Sequence, residues 1–342
     1  MPAVRKQHRR GTGQDGPSMA SSGRPRPPVF LRLSLSGALH AGNSRRGSKS
    51  GLPFTGAVRR MVRQELQAML RFDPNLRWLF TELPMLDRYQ AAAEAGFQGV
   101  EVAFPYEYPA REVAARLEAN GLQLVQILSP FDWDGGERGM AALPGREEAF
   151  KDSIRTAVDY AVQVGKPMIH VMPGNMRPGL DRVECMQRFM ENIAWAADHA
   201  GPAGLTLILE PCCRARFPDF LYHRLDEGVK VLETIRRENV KLCFDTFHIQ
   251  MEEGAITDRL RAAWPHIGHI QIGNVPGRHE PGTGEIHFPF LFAQIESLGW
   301  DRWVGCEYTP SGPTLDTLGW GAPYGIRDPR KGASRTSKRA AC

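Results

Sequence analysis

The chain has 342 residues, 42% of them hydrophobic, a length that suits one large α/β domain or two ordinary ones. No apolar run approaches the length of a membrane-spanning helix, which excludes that class. The formal charge of +5 is unevenly spread. Residues 1–68 carry thirteen Lys/Arg against two acids, residues 327–342 six against one, and the body between them twenty-four against thirty-five. An acidic body argues against a nucleic-acid footprint outside the tails. The six cysteines form no CxxC pair and no metal-finger spacing, so they read as reduced thiols of a cytoplasmic chain.

In chain order, residues 1–68 are rich in Arg, Ser, Gly and Pro and show no sustained hydrophobic period. They read as a disordered basic extension, with the translated start at Met61 or Met69. From residue 69 onward, short apolar runs alternate with amphipathic stretches. Strands are predicted at 72–80, 99–104, 122–128, 167–172, 205–210, 240–245, 266–272 and 303–307. Helices are predicted at 84–96, 109–120, 145–164, 181–200, 222–238, 254–263 and 287–298. "AREVAARLEANG" shows the usual form, with apolar residues at helical spacing and Gly121 as the stop. Eight strands with intervening helices predict a (β/α)8 TIM barrel over residues 69–326. A doubly wound sheet would place a glycine-rich phosphate loop after the first strand, and none follows "FDPNLRWLF". Residues 327–342 read as a second disordered basic tail.

The strand ends carry the chemistry. The fifth strand ends in Glu210, the sixth in Asp245 and the eighth in Glu307, while the seventh carries Gln271 near its end. In a TIM barrel these positions fall on the carboxyl-terminal rim, where active sites are built. Two like charges about 4 Å apart repel by roughly 4 kcal/mol at an effective dielectric of 20. Three carboxylates and an amide oxygen on successive strands therefore call for a cation or for protons. An all-oxygen set suits Mg²⁺ or Mn²⁺ better than Zn²⁺.

Around this set lie further candidates. His248 follows Asp245 by three residues, within reach of a substrate oxygen. Arg278 and Glu280 belong to the Pro/Gly-rich loop "VPGRHEPGTGE" after the seventh strand. Arg278 is a candidate clamp for a substrate carboxylate, because a planar guanidinium pairs with that group bidentately. Met172 and Gly174 are placed at the end of the fourth strand.

"FDPNLRWLF", "GFQGVEVAFPYEY", "GERGMAALPGREEAF", "FDTFHIQMEEG", "VPGRHEPGTGEIHFPFLF" and "VGCEYTPSG" occur in the order and spacing of a known family. From Met69 to Ile326 the chain resembles the hydroxypyruvate isomerase family of xylose-isomerase-like TIM barrels. The resemblance implies that Glu210 and Glu307 are the proton donor and acceptor pair. It implies a divalent-metal shell of Glu210, Asp245, Gln271 and Glu307. It also implies a cytoplasmic intramolecular oxidoreductase acting on a small hydroxy or oxo acid, with neither nucleic acid nor membrane as a partner.

Hydroxypyruvate and 2-hydroxy-3-oxopropanoate are the expected pair, since related sugar epimerases carry histidine where Gln271 stands. The nearest alternative is 2-oxo-tetronate isomerase; a ketose 3-epimerase, a non-catalytic sugar-acid binder and an apurinic-site endonuclease lie further away. Three stretches depart from the family pattern: Cys212 and Cys213 after Pro211, Asn274 where many relatives have Asp, and "ILSPFDWDGGERG" after the third strand. They bear on the choice of substrate more than on the reaction class.

Overall fold

The structure, a computed structural model, describes residues 69–333. The expectations for residues 1–68 and 334–342 lie outside the described residues. Eight parallel strands form one sheet: β1 (Arg71–Pro74), β2 (Gly99–Glu101), β3 (Gln123–Leu128), β4 (Met168–His170), β5 (Leu207–Leu209), β6 (Val240–Asp245), β7 (Ile267–Ile272) and β8 (Trp303–Cys306). They are hydrogen-bonded in the order β1-β8-β7-β6-β5-β4-β3-β2. Between β1 and β2 the sheet is joined by the Asn75–Glu101 bridge, where Leu76 N–H donates to the Glu101 carbonyl at 2.9 Å. The result is a nearly closed TIM barrel.

The helices follow the predicted alternation: α1 (Met85–Glu94), α2 (Ala110–Asn120), α3 (Glu147–Ala161), α4 (Arg182–Ala200), α5 (Leu225–Ile235), α6 (Thr246–Glu252), α7 (Ile256–Ala263) and α8 (Phe288–Ser297). Gly121 ends α2 at φ +62°, a conformation that costs glycine little because it has no Cβ. Asp181 starts α4 by accepting the Val183 and Glu184 N–H groups at 2.8 and 3.0 Å. On the outer face of the sheet, Phe72, Val304, Ile270 and Phe244 stand in one register row, all buried beneath the helices.

Three differences from the sequence reading matter below. The first apolar run is extended only to Pro74. Beyond it Asn75 organises a turn, its carbonyl accepting the Trp78 and Leu79 N–H groups and its side chain the Arg77 N–H. That turn swings Arg77 and Trp78 over the rim. A helix not foreseen, α6, starts directly after β6, with Asp245 as its N-cap accepting the Phe247 N–H at 2.8 Å. Ordered chain also continues past 326: Arg327 N–H donates to the Ala95 carbonyl at 2.9 Å, and Pro329–Ala333 is helical.

The inner face is unusual for this architecture, whose barrel interiors are mostly filled by branched apolar side chains. Asp245, Gln271, Gly305 and Asp73 stand in register on β6, β7, β8 and β1. Gly305 is where the barrel needs no side chain. A Cβ there would lie 2.1 Å from Glu101 Oε1, so glycine lets the Glu101 carboxylate cross the interior. It accepts hydrogen bonds from Gln271 Nε2 at 2.8 Å and Asn75 Nδ2 at 3.0 Å, and lies 2.5 Å from His269 Nε2.

Candidate active site

Above this polar layer the barrel opens into a cavity of about 240 Å³. Glu210 enters it from the residue after β5 and Glu307 from the residue after β8. His248 enters from the first turn of α6, and Arg278 from the loop after β7. Met172 lines it, as the fourth strand's end suggested. Gly174, at φ +109°, does not; it packs against Leu143 and Gly139.

Arg278 reaches the cavity as the sequence reading expected, but with acids as its partners. As a clamp it would keep its guanidinium free for substrate, but the side chain is buried and engaged. Its Nη2 binds the Asp245 carboxylate and lies 3.0 Å from Glu307 Oε1, and its Nε donates to the Glu307 carbonyl at 3.1 Å. Gly273 makes room for it, since a Cβ there would lie 2.9 Å from Arg278 Cγ. Burial works against the Arg278 charge, but Asp245, Glu307 and Glu210 outweigh it and hold the guanidinium above its ordinary value. Arg278 thus neutralises part of an acid cluster. Trp78 and Phe247 lie 5.1 Å from it, within the range of cation–π attraction.

The acids remain in excess. Burial, then the charges of Glu307 and Asp245, push the Glu210 carboxyl well above the usual range. Its Oε1 is buried without a hydrogen-bond partner. Burial likewise pushes Glu307 up to about 7, with Arg278 pulling the other way. Asp245 is raised by burial against the pull of Arg278 and of backbone N–H groups at the start of α6.

His248 is held in one state by Cys213, by burial and by nearby arginines. Cys213 N–H donates to His248 Nδ1 at 3.1 Å, so the ring carries its proton on Nε2. Burial and the charges of Arg278 and Arg216 keep the imidazole well below its ordinary pKa, hence neutral at pH 7. Cys213, one of the departures from the family pattern, thus meets His248 Nδ1 with both its backbone N–H and its Sγ, the latter at 3.2 Å. Cys212 lines the cavity, and a Glu210–Cys212–His248 group brings its ligand atoms within 4.8 Å of one another.

Gln271 and Glu280 sit elsewhere. Gln271 lies in the layer below, its amide nitrogen on Glu101 and its Oε1 3.0 Å from Cys243 Sγ. Glu280 does not line the cavity; its carboxylate accepts the Ser311 N–H and hydroxyl at 3.0 and 2.5 Å, tying the β7 loop to the segment after β8. Asn274 pins the same loop, its Oδ1 accepting the Val275 and Ile286 N–H groups at 2.9 and 3.0 Å.

Four residue groups escaped the sequence reading. Glu101 ends β2 as Glu210 follows β5, so the same signal was present in "GVEVAF". His170, the last residue of β4, lines the cavity with its Nε2 3.7 Å from Glu210 Oε2, and burial lowers its pKa to about 4. Trp133 and Phe217, from the loops after β3 and β5, meet edge-on at 6.5 Å and form part of the wall. Arg77, Arg138 and Arg216 complete it.

The residues present fit a divalent cation. Glu210 offers an orphaned buried oxygen, and three raised carboxyls share one arginine. Oxygen donors of this kind suit a hard ion.

An acid-lined rim on a barrel of this connectivity defines a class, the xylose isomerase-like TIM barrels, and the model of that family matches residues 89–325. The 2-oxo-tetronate isomerase of Cupriavidus necator is 44% identical over 257 residues, covering 75% of this chain and 99% of that protein. The hydroxypyruvate isomerase of Escherichia coli is 37% identical over 257 residues, covering 75% and 100%. A solved structure described as AP endonuclease, family 2, from Brucella melitensis superimposes with a TM-score of 0.73 at 41% identity, covering 75% of this chain and 99% of that one. The chain belongs to the xylose isomerase-like TIM barrel family, within the group of hydroxypyruvate and 2-oxo-tetronate isomerases, and is an intramolecular oxidoreductase. Among the described residues, no helix is long and apolar enough to cross a membrane.

Proposed function

We propose that the enzyme interconverts the carbonyl and hydroxyl positions of a short 2-oxo acid by proton transfer between Glu210 and Glu307. The observation that carries this reading is their placement. Two carboxyls with raised pKa, Glu210 buried and Glu307 with its side chain 16% exposed, reach one cavity from strands three apart around the barrel. A carboxyl poised near neutrality can serve as acid or base.

One glutamate removes the proton from the hydroxyl-bearing carbon beside the ketone. The electron pair moves into an enediolate, the other glutamate returns a proton to the former ketone carbon, and the proton of the starting hydroxyl passes to the former ketone oxygen. His248, neutral and with its proton on Nε2, donates a hydrogen bond to a substrate oxygen. Glu210, Asp245 and Glu307 would hold a divalent ion; Gln271, the fourth ligand the sequence reading implied, would have to turn its amide oxygen away from Cys243 to join them. When bound, Mg²⁺ or Mn²⁺ supplies Lewis-acid stabilisation for negative charge on the substrate oxygens. Arg278 holds Asp245 and Glu307 in place.

The four-carbon acid 2-oxo-tetronate leads as substrate, because relatives carrying that name reach 44% and 41% identity. Hydroxypyruvate, favoured by the sequence reading, is the second reading, supported by relatives at 40% and 37%. An endonuclease, the description of the Brucella structure, would need a basic face for nucleic acid, and the body of this chain is acidic. Parallel kcat/KM measurements on the two acids decide between them. Chelation should abolish turnover and added Mg²⁺ or Mn²⁺ restore it. Solvent deuterium should enter the substrate carbon, and a protein that binds either acid without exchanging its proton is a binder, not an isomerase.

A further inference from the structure

With Nη2 and Nε of Arg278 engaged by Asp245 and Glu307, a substrate carboxylate calls for further cationic partners. Arg77 comes from the turn after β1 and Arg138 from the loop after β3, and both guanidinium carbons lie over the Trp133 ring, 4.8 and 3.9 Å from its centroid. All three residues line the cavity that holds Glu210 and Glu307.

The pair of like charges is poorly relieved from within the chain. Among the described residues Arg77 has one carboxylate in range, Asp134, at 3.9 Å with a side chain 97% exposed. Arg138 uses Nη1 on the Trp133 and Glu137 carbonyls, while among the described residues its Nη2 and Nε make no hydrogen bond. Glu137, the nearest acid in sequence, is taken by Arg146 at 2.7 Å. Burial, and next the charge of Arg77, hold Arg138 below its ordinary pKa. Arg216, from the loop after β5, adds a third guanidinium to the same wall and forms no ion pair among the described residues.

We propose that Arg77 and Arg138, brought together by Trp133, form the subsite for the carboxylate of the substrate, so that the mouth of the cavity selects acids over neutral sugars. This rests on the isomerase reading above and names what that reading lacks, the group that recognises the acid. The carboxylate takes the mouth, where two forked donors meet it, and the carbons that exchange a proton lie below between Glu210 and Glu307. An oxo acid bound this way relieves the repulsion between the two arginines, which a neutral ketose cannot do.

The experiment compares D-glycerate with glycerol, which differ by the carboxylate and cannot be isomerised, by calorimetric titration of the full-length protein. Wild-type protein should bind glycerate at least tenfold more tightly than glycerol. Arg77→Gln and Arg138→Gln should each weaken glycerate binding roughly 10- to 100-fold, the weight of a lost charge-assisted hydrogen bond, and leave glycerol binding unchanged. Arg138→Lys should recover part of the loss, and higher salt should weaken the acid alone. With either oxo acid, KM should rise in the same variants far more than kcat falls. Equal binding of glycerate and glycerol by wild-type protein would overturn the subsite, as would unchanged glycerate affinity in the Arg77→Gln/Arg138→Gln double variant with an unaltered melting temperature. Because glycerate binding needs no turnover, a protein that binds it through these arginines but isomerises neither acid refutes the isomerase reading and leaves the subsite standing.

Discussion

Glu210, Asp245 and Glu307 on one side of the barrel, and Asp73 and Glu101 on the other, are all carboxyl groups taken out of water, yet they are balanced in different ways. The first set has Arg278 among it, and two of its members, Glu210 and Glu307, line the cavity, with Asp245 buried behind them. The second has His269 2.5 Å from Glu101, and neither Asp73 nor Glu101 lines the cavity. Among the described residues no donor reaches either buried oxygen of Asp73, and burial followed by the charge of Glu101 pushes its carboxyl well above the usual range, where a proton can bridge it to Glu101. A closed acid pair settles its repulsion by keeping a proton. An open one can exchange its protons with a ligand or be balanced by a cation that arrives from solvent. Burial of charge alone therefore does not distinguish the proposed reacting groups, Glu210 and Glu307, from Asp73 and Glu101; access to the cavity does.

The largest expected effect tests that distinction directly. Glu210→Gln and Glu307→Gln should each lower turnover by roughly 10²–10⁴, the usual weight of general acid–base catalysis, whereas Asp73→Asn should leave it within a few-fold. The double glutamine variant should fall by less than the product of the two losses, because either one already interrupts the proton path. Equal losses at Glu210 and Asp73 would erase the contrast between the two clusters.

Removing the arginine should make the open cluster resemble the closed one. Arg278→Met leaves Asp245 and Glu307 without their buried cation and should cost about 3–5 kcal/mol of stability in chelated protein, the range for breaking a buried ion pair from one side. Added Mg²⁺ or Mn²⁺ should return part of it. Thermal unfolding of the variant with and without metal measures both, and an unchanged melting temperature in chelator would mean that Arg278 does not balance the acids.

The smallest effect concerns the closed pair and its sign with pH. A carboxyl whose folded pKa is raised binds its proton more tightly folded than unfolded. Asp73 therefore costs stability as pH rises through its unfolded value, about 4, toward the higher folded one, and the cost persists above that window. Asp73→Asn should be more stable than wild type by about 1–3 kcal/mol at pH 8, the scale of an unpaired buried polar group. The gap should close below about pH 4. Denaturant titrations across that range would show it, and a variant less stable at pH 8 would assign Asp73 a charged, paired role instead.

What the sequence determined by itself is what local chemistry can express. Apolar runs of strand length alternating with helical spacing specify parallel strands and covering helices, and Gly121 ends a helix because only its own backbone need allow φ +62°. A carboxylate at the end of such a run is equally legible at Glu210, Asp245 and Glu307, because a strand that ends in a charge must point it somewhere. Glu101 carried the same signal in a shorter run. The direction of Arg278 was not legible. A loop arginine reads the same in sequence whether it faces solvent or acid, and here φ +58° at that residue and the absent side chain of Gly273 turn it inward. Nor could spacing bring Arg77 and Arg138 to one tryptophan, since that meeting depends on a turn after β1 and a loop after β3 closing over the same cavity. Glu101 reaches Gln271 across 170 positions only because Gly305 leaves the interior open between them. Pairings of that kind are set by which side chains the closed barrel points at one another, a property of the sheet's register and curvature that no single segment contains.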